Sequence, residues 1–271
     1  MRIPSLAAVA AMAVLLAPCA GFGATSTADD RIAVSADGAT LSGTNGGGGA
    51  SLGWLHNFDP ESLASIAVEH QVLSDAHWTF GSLSGSLTRD LAGARYSAYA
   101  EAHEGAGDDG PRAFHYAIEA AGIIGTYFQR LSLQLEDRQV DVETTHGNLP
   151  KLGLSYLWPH RVMLSTSYSY SVNGNLGTRL ATARIDGYTS ACNLLAGVAF
   201  GPAAPAILNL QSGLVAPGRQ LKEGYVGISK PLRHSRSELT LVADYLELAG
   251  VKRATLTLSY VFHVGGAGSA R

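Results

Sequence analysis

From about residue 31 to residue 264, segments in which apolar and polar residues alternate with a period of two recur along the chain. In Arg161–Val172 the even positions are Val162, Leu164, Thr166, Tyr168, Tyr170 and Val172, while the odd ones run into Ser165, Ser167, Ser169 and Ser171. Leu131, Leu133 and Leu135 oppose Arg130, Ser132, Gln134, Glu136 and Arg138, and Ala94, Tyr96, Ala98, Ala100 and Ala102 oppose Arg95, Ser97, Tyr99, Glu101 and His103. The last segment sets Ala254, Leu256, Leu258, Tyr260, Phe262 and Val264 against Arg253, Thr255, Thr257, Ser259 and His263. A side-chain period of two is that of a strand with two unlike faces. These runs last about 10 to 13 residues, whereas soluble strands peak near 5 to 6. A tilted strand needs about 9 to 11 residues to cross a bilayer.

The pattern predicts fourteen strands, at 31–42, 48–58, 62–73, 77–89, 94–104, 113–123, 127–138, 150–158, 161–172, 178–188, 192–200, 219–230, 236–248 and 252–264. Short links such as Asp90–Gly93, Ile124–Thr126 and Thr189–Ala191 alternate with longer ones at Gly43–Gly47, Gly105–Pro111, Gln139–Leu149, Asn173–Gly177 and Gly201–Gly218. That alternation is expected of a barrel with both chain ends on one side of a membrane. If 31–42 is only a lead into the barrel, twelve strands is the alternative, and Ala206–Leu210 reads either as part of a loop or as a short extra strand. The fold class predicted is all-β, a single antiparallel transmembrane β-barrel. Inside a bilayer no water can satisfy the backbone, so the sheet must close, with an apolar outside and a polar inside. Alternation alone does not report which face points outward. Length and the aromatics near segment ends (Trp54, Phe58, Trp78, Phe80, Tyr96, Phe114, Tyr127, Phe128, Trp158, Tyr188 and Phe200) favour the inverted arrangement, with those rings as interfacial girdles. A secreted β-sandwich or lipocalin-like binder is the soluble alternative.

The first residues change the compartment. Arg2 precedes the apolar run Leu6–Ala17, and small residues follow at Cys19–Ala24, which reads as a secretory signal peptide over 1–23 with the barrel domain at 24–271. Cys19 follows Pro18, a poor fit to a lipid-attachment box. Removal of the signal leaves Cys192 as the one cysteine, so no internal disulfide is available.

Composition narrows the partners. Charged residues make up 15% of the 271, with 32 Gly and a formal net charge of -3. This is low in charge and rich in glycine for a soluble domain. Without a Lys/Arg block there is no footprint for nucleic acid.

At the last strand, Leu256-Thr-Leu-Ser-Tyr260-Val-Phe262 resembles the closing strand of bacterial outer-membrane proteins, although Gly265–Arg271 follows where a terminal Phe is usual. The size, the signal peptide and the Tyr-rich Leu131–Tyr170 region are similar to YaiO-like outer-membrane barrels. The resemblance implies a surface barrel, sometimes linked to envelope polysaccharide, inserted by the barrel-assembly machinery, and it carries over no catalytic residue.

Candidate chemistry is sparse. The nine histidines lack metal-ligand spacing, and the Gly46–Gly49 run opens no helix, so no cofactor or metal is expected. Asp141, Glu143 and His146, with Ser171 or Asn173, make the one candidate catalytic rim. The polar-face charges form a better set. Arg95, Glu101, His103, Glu119, Arg130, Glu136, Arg138, Arg184, Asp186, Glu238 and Asp244 are predicted to line the lumen, either as an ion-pair plug or as the wall of a narrow channel. The function predicted is a passive channel or export component for polar solutes or saccharides in the outer membrane of a Gram-negative bacterium, touching lipids and lipopolysaccharide. An envelope enzyme and a purely structural barrel are the alternatives.

Overall fold

In the computed structural model, residues 29–42, 46–59, 61–73, 76–108, 113–142, 145–159, 161–189, 191–203, 219–232, 237–248 and 251–264 are described, and all regular structure among them is strand. The predicted signal peptide, residue Glu143 and most of Gly201–Gly218 lie outside the described residues.

The strands are β1 (Asp29–Leu41), β2 (Gly47–Asp59), β3 (Ser62–Leu73), β4 (Ala76–Leu91), β5 (Ala94–Asp108), β6 (Ala113–Tyr127), β7 (Leu131–Val142), β8 (Thr145–Asn148), β9 (Lys151–Trp158), β10 (Val162–Tyr170), β11 (Val172–Gly174), β12 (Arg179–Tyr188), β13 (Asn193–Ala203), β14 (Arg219–Leu232), β15 (Ser237–Leu248) and β16 (Val251–Val264). All pairing is antiparallel, and β1 closes on β16 over Asp30↔Val264 to Leu41↔Arg253. The short β8 and β11 continue β9 and β10 beyond Leu149-Pro150 and Ser171. The wall is therefore fourteen strands around, with no edge left between β1 and β16. Proline interrupts at 150 because it has no N–H to give the ladder. Directly opposed residues climb the wall by about one residue per strand, a stagger that goes with a tilt of about 36°.

Asp29 and Val264 stand at one end, here called proximal, where tight turns join the strands. Ala92 and Gly93 (φ 51 and 80) make a two-residue turn, both in the left-handed region that hairpins of this hand require. The next proximal turn falls at Phe128-Gln129-Arg130, not at Ile124–Thr126, so β6 runs four residues farther than its apolar pattern indicates and β7 is displaced by four, from 127–138 to Leu131–Val142. Phe128 and Gln129 take φ of 52 and 57 there. At the opposite, distal end the spacing is uneven: β1 ends at Leu41 with β2 starting at Gly47, and β13 ends at Ala203 with β14 starting at Arg219, yet β3 and β4, and β15 and β16, are separated by only two residues each. Gln139–Leu149 is mostly not loop, because β7 and β8 form a hairpin through it.

The faces sort by height. Over the proximal two-thirds of the wall, Leu52, Ile66, Leu83, Leu135, Leu154, Ile185, Leu194, Val226, Leu241 and Leu256 point outward and are exposed. A band of exposed leucine, isoleucine and valine around a whole barrel is matched to hydrocarbon. Near its proximal border stand outward aromatics, with Tyr96 edge-on to Tyr127, Tyr156 edge-on to Trp158, and Tyr260 stacked on Phe262. Nearby, Asp30 accepts hydrogen bonds from Trp54 Nε1 and bonds His56 Nδ1. Three expected girdle residues do not belong to that belt. Trp78, Phe80 and Tyr188 share the inward parity of their strands, and Trp78 and Phe80 are buried. The side chain of Phe114 lies outside the described set.

Candidate functional site

The inward face is layered. Its proximal and middle parts are hydroxylic, and the hydroxyls meet across the ladder. Ser35 bonds Ser51 (2.6 Å), Ser65 bonds Ser84 (2.7 Å), Thr88 bonds Ser97 (2.8 Å), Thr126 bonds Ser132 (2.9 Å), Ser155 donates to Ser165 (2.9 Å), and Ser167 bonds Thr182 (2.7 Å). Each pair is directly opposed on adjacent strands. Alternation puts a serine at every second position, and antiparallel register brings two such rows together, so the hydroxyl rows follow from the sequence once strand partners are known.

Above the hydroxyls lies a charged belt. On β5, β7 and β9, Arg138 bridges Glu101 (2.9 Å) and Glu136 (3.3 Å), Lys151 reaches Glu136 (2.8 Å), and His103 lies 3.8 Å from Glu101. The Tyr99 hydroxyl donates to Glu136 and accepts from Gln134 Nε2. Tyr99 can lie flat because its directly opposed residue is Gly122, where a Cβ would collide with the ring. Across the lumen Tyr225 uses Gly197 in the same way. There Arg184 forms a bidentate pair with Asp186 (Nη2–Oδ1 2.6 Å, Nε–Oδ2 2.8 Å), and Arg253 pairs with Asp244 (3.1 Å). At the proximal mouth Asp29 binds Arg31 and His263, both at 2.9 Å, while Glu238 accepts from Ser229.

Of the predicted lining residues, Glu101, His103, Glu136 and Arg138 come together in one network, Arg184 pairs with Asp186, and Glu238 and Asp244 face inward on β15. Arg95 is exposed at the proximal mouth. Two residues are corrected. Arg130 belongs to the proximal turn, because β7 starts only at Leu131. Glu119 points out of the barrel, opposite Gln139 and exposed, while its neighbours Ile118 and Ala120 are buried inside. The error has a physical cause. Near the distal end the lumen is no longer the polar side.

Leu41, Trp78, Phe80, Ile118, Val140, Leu221 and Leu246 at the last inward positions of the strands, with Leu149 and Leu176 from between strands, form one apolar cluster, each at most 7% exposed, with Leu180 and Val251 packed against it. At similar height the outward side carries His70, Thr79, Glu104, Gln139, Asp141, His146, Arg179, Lys222 and Lys252. Past the apolar belt the wall thus becomes a collar built like a soluble barrel, dry inside and wet outside. Sequence reasoning overlooked this collar, and also Asp37, Glu69, Gln71, Lys151, Glu223 and Arg253 of the belt. The signal available was that polar residues on β6 and β7 leave the predicted face together, as Glu119, Asp137, Gln139 and Asp141.

Among the described residues the candidate catalytic rim is not assembled into one hydrogen-bonded set. Asp141 and His146 are directly opposed on the outside, while Ser171 accepts a hydrogen bond from the Thr178 N–H (3.0 Å). Among the described residues no group of three or more His, Cys, Asp or Glu is placed to hold a metal ion.

No protein-family description and no curated protein matches the chain. Solved structures do match in fold. The Acinetobacter baumannii outer-membrane protein Omp33 is similar at 10% identity and a TM-score of 0.53, over 87% of this chain and 99% of that one. CymD, a monoaromatic hydrocarbon channel, is similar at 8% identity and a TM-score of 0.60, over 94% and 93%. A variant of TodX, also a monoaromatic hydrocarbon channel, is similar at 8% identity and a TM-score of 0.55, over 89% and 91%. The chain therefore has the fold of bacterial outer-membrane β-barrels.

Proposed function

We propose that the protein is a passive channel for small solutes in the outer membrane of a Gram-negative bacterium. The observation that carries this reading is the hydroxyl-lined lumen beneath an apolar exterior. Six directly opposed hydroxyl pairs give a passing solute exchangeable donors and acceptors without a deep trap. The barrel-channel neighbours support the reading, since proteins of this fold include the two named hydrocarbon channels. The resemblance to YaiO-like barrels makes a hydroxylated saccharide the solute to try first, and the closing strand Leu256–Phe262 suits insertion by the assembly machinery. At the distal end the path also meets the apolar collar, which a solute must pass beyond the hydroxyl rows. In planar bilayers the purified barrel is expected to give steady ion steps whose cation preference falls on Glu101→Gln. A silent barrel across all salts would sink the reading in favour of a structural role.

A further inference from the structure

The inward faces of β1, β3 and β4 hold a second arrangement, just beneath the collar. The side chain of Gln71 lies over Gly49, where any Cβ would strike it. From there its amide nitrogen donates to Asp37 Oδ1 (2.8 Å) and Glu69 Oε1 (2.6 Å). One nitrogen thus gathers two carboxylates, and the other oxygen of each, Asp37 Oδ2 and Glu69 Oε2, is buried with no hydrogen-bond partner. Glu69 is directly opposed by Phe80 and Gln71 by Trp78. The indole Nε1 of Trp78, a residue only 1% exposed, is also without a partner. Among the described residues the cation beside this group is Arg253, which is ion-paired with Asp244, and Glu223 lies against Asp244 as well. Four carboxylates here face one guanidinium.

Uncompensated buried carboxylate oxygens are costly unless a cation or donor meets them. Carboxylates next to aromatic faces are the chemistry that recognises an organic ammonium, through charge-assisted hydrogen bonds and cation–π attraction. We propose that Asp37, Glu69, Trp78 and Phe80 form a binding site for a protonated amine that carries an apolar or aromatic group. The ammonium takes the two open carboxylate oxygens and the apolar part enters the collar. As the solute site of a conduit this rests on the channel reading, but binding itself does not require conduction.

The test uses the full folded barrel in non-ionic detergent, titrated with phenethylammonium chloride and followed by calorimetry. Saturable binding is expected, with phenethyl alcohol binding at least about tenfold more weakly because it lacks the charge. Glu69→Gln and Asp37→Asn, each checked for folding by circular dichroism, are each expected to weaken the amine about tenfold and to leave the alcohol unchanged. Equal binding of amine and alcohol, unchanged amine affinity in both variants, or full displacement by equimolar magnesium chloride would each overturn the site. Amine binding by a barrel silent in bilayers keeps the site and removes the channel. Ion steps without amine binding remove the site and keep the channel.

Discussion

The belt and the collar are made from the same strands with the same side-chain period, yet they invert each other. On β4, Leu83 and Leu87 point out and Ser82, Ser84 and Ser86 point in, whereas four residues toward the distal end Thr79 and His77 point out and Phe80 and Trp78 point in. The backbone does not change; the surroundings do. Where hydrocarbon touches the wall, outward residues must be apolar and the lumen can be wet. Beyond that height the outside meets water, and burying apolar surface inside becomes the favourable choice. Polarity alone is therefore no guide to direction in this chain, and the height at which it reverses marks the membrane border.

Substitutions at matched heights break or sharpen this contrast. The largest effect is expected at the collar, where Phe80→Ala should cost about 3–5 kcal/mol, as for an aromatic in a soluble core. Thr79→Ala on the other face of the same strand serves as its near-neutral control. Urea titrations of folding into phosphocholine vesicles, read by tryptophan fluorescence, measure both, and equal losses would mean that the collar is not a packed core. Next comes the belt. Leu83→Arg, facing lipid, should cost about 2–4 kcal/mol in the same titration, while Ser86→Arg, facing the lumen, should cost far less. If the two arginines behave alike, the apolar exterior is not in hydrocarbon. A smaller loss, about 1–3 kcal/mol, is expected for Gly122→Val, since the new side chain must displace Tyr99 from Glu136 and Gln134. Accompanying Tyr99→Phe with normal folding would show whether the ring or its hydroxyl matters. The smallest effect belongs to the hydroxyl rows. Ser84→Ala removes one partner of Ser65 and should cost only about 0.5–1.5 kcal/mol, because the lumen can supply water in its place. A larger loss would make these rows structural and not merely a lining.

Much of the wall is legible in the sequence. Leu164 and Leu256 lie on the face opposite Ser165 and Thr257 as their alternation requires, and that face points outward as strand length and the end aromatics favour; most strand bounds fall within a few residues of the pattern. The exceptions share one origin. The proximal half of β6 is apolar on both faces, with Ala120, Gly122 and Ile124 inside and Ala121 and Ile123 outside, so nothing local marks its end. The pattern therefore puts the turn too early and Arg130 in the lumen. Glu119 departs from the expected face because polar means inward only below the collar. Glu101, His103, Glu136 and Arg138 could be assigned to one face, but their contacts depend on which residues stand opposite across three strands.

Period, strand length and the small-residue turns are written in the sequence because they depend on neighbours two to four positions apart. A long alternating strand cannot bury its two faces alike, and its backbone groups demand a closed sheet in lipid. What only the closed structure decided is the height at which the faces exchange character, the Gln71 clamp over Gly49, and the tyrosines lying on opposed glycines. Those arise from residues far apart in the chain that the stagger of the barrel brings to one level, and no local pattern encodes that level.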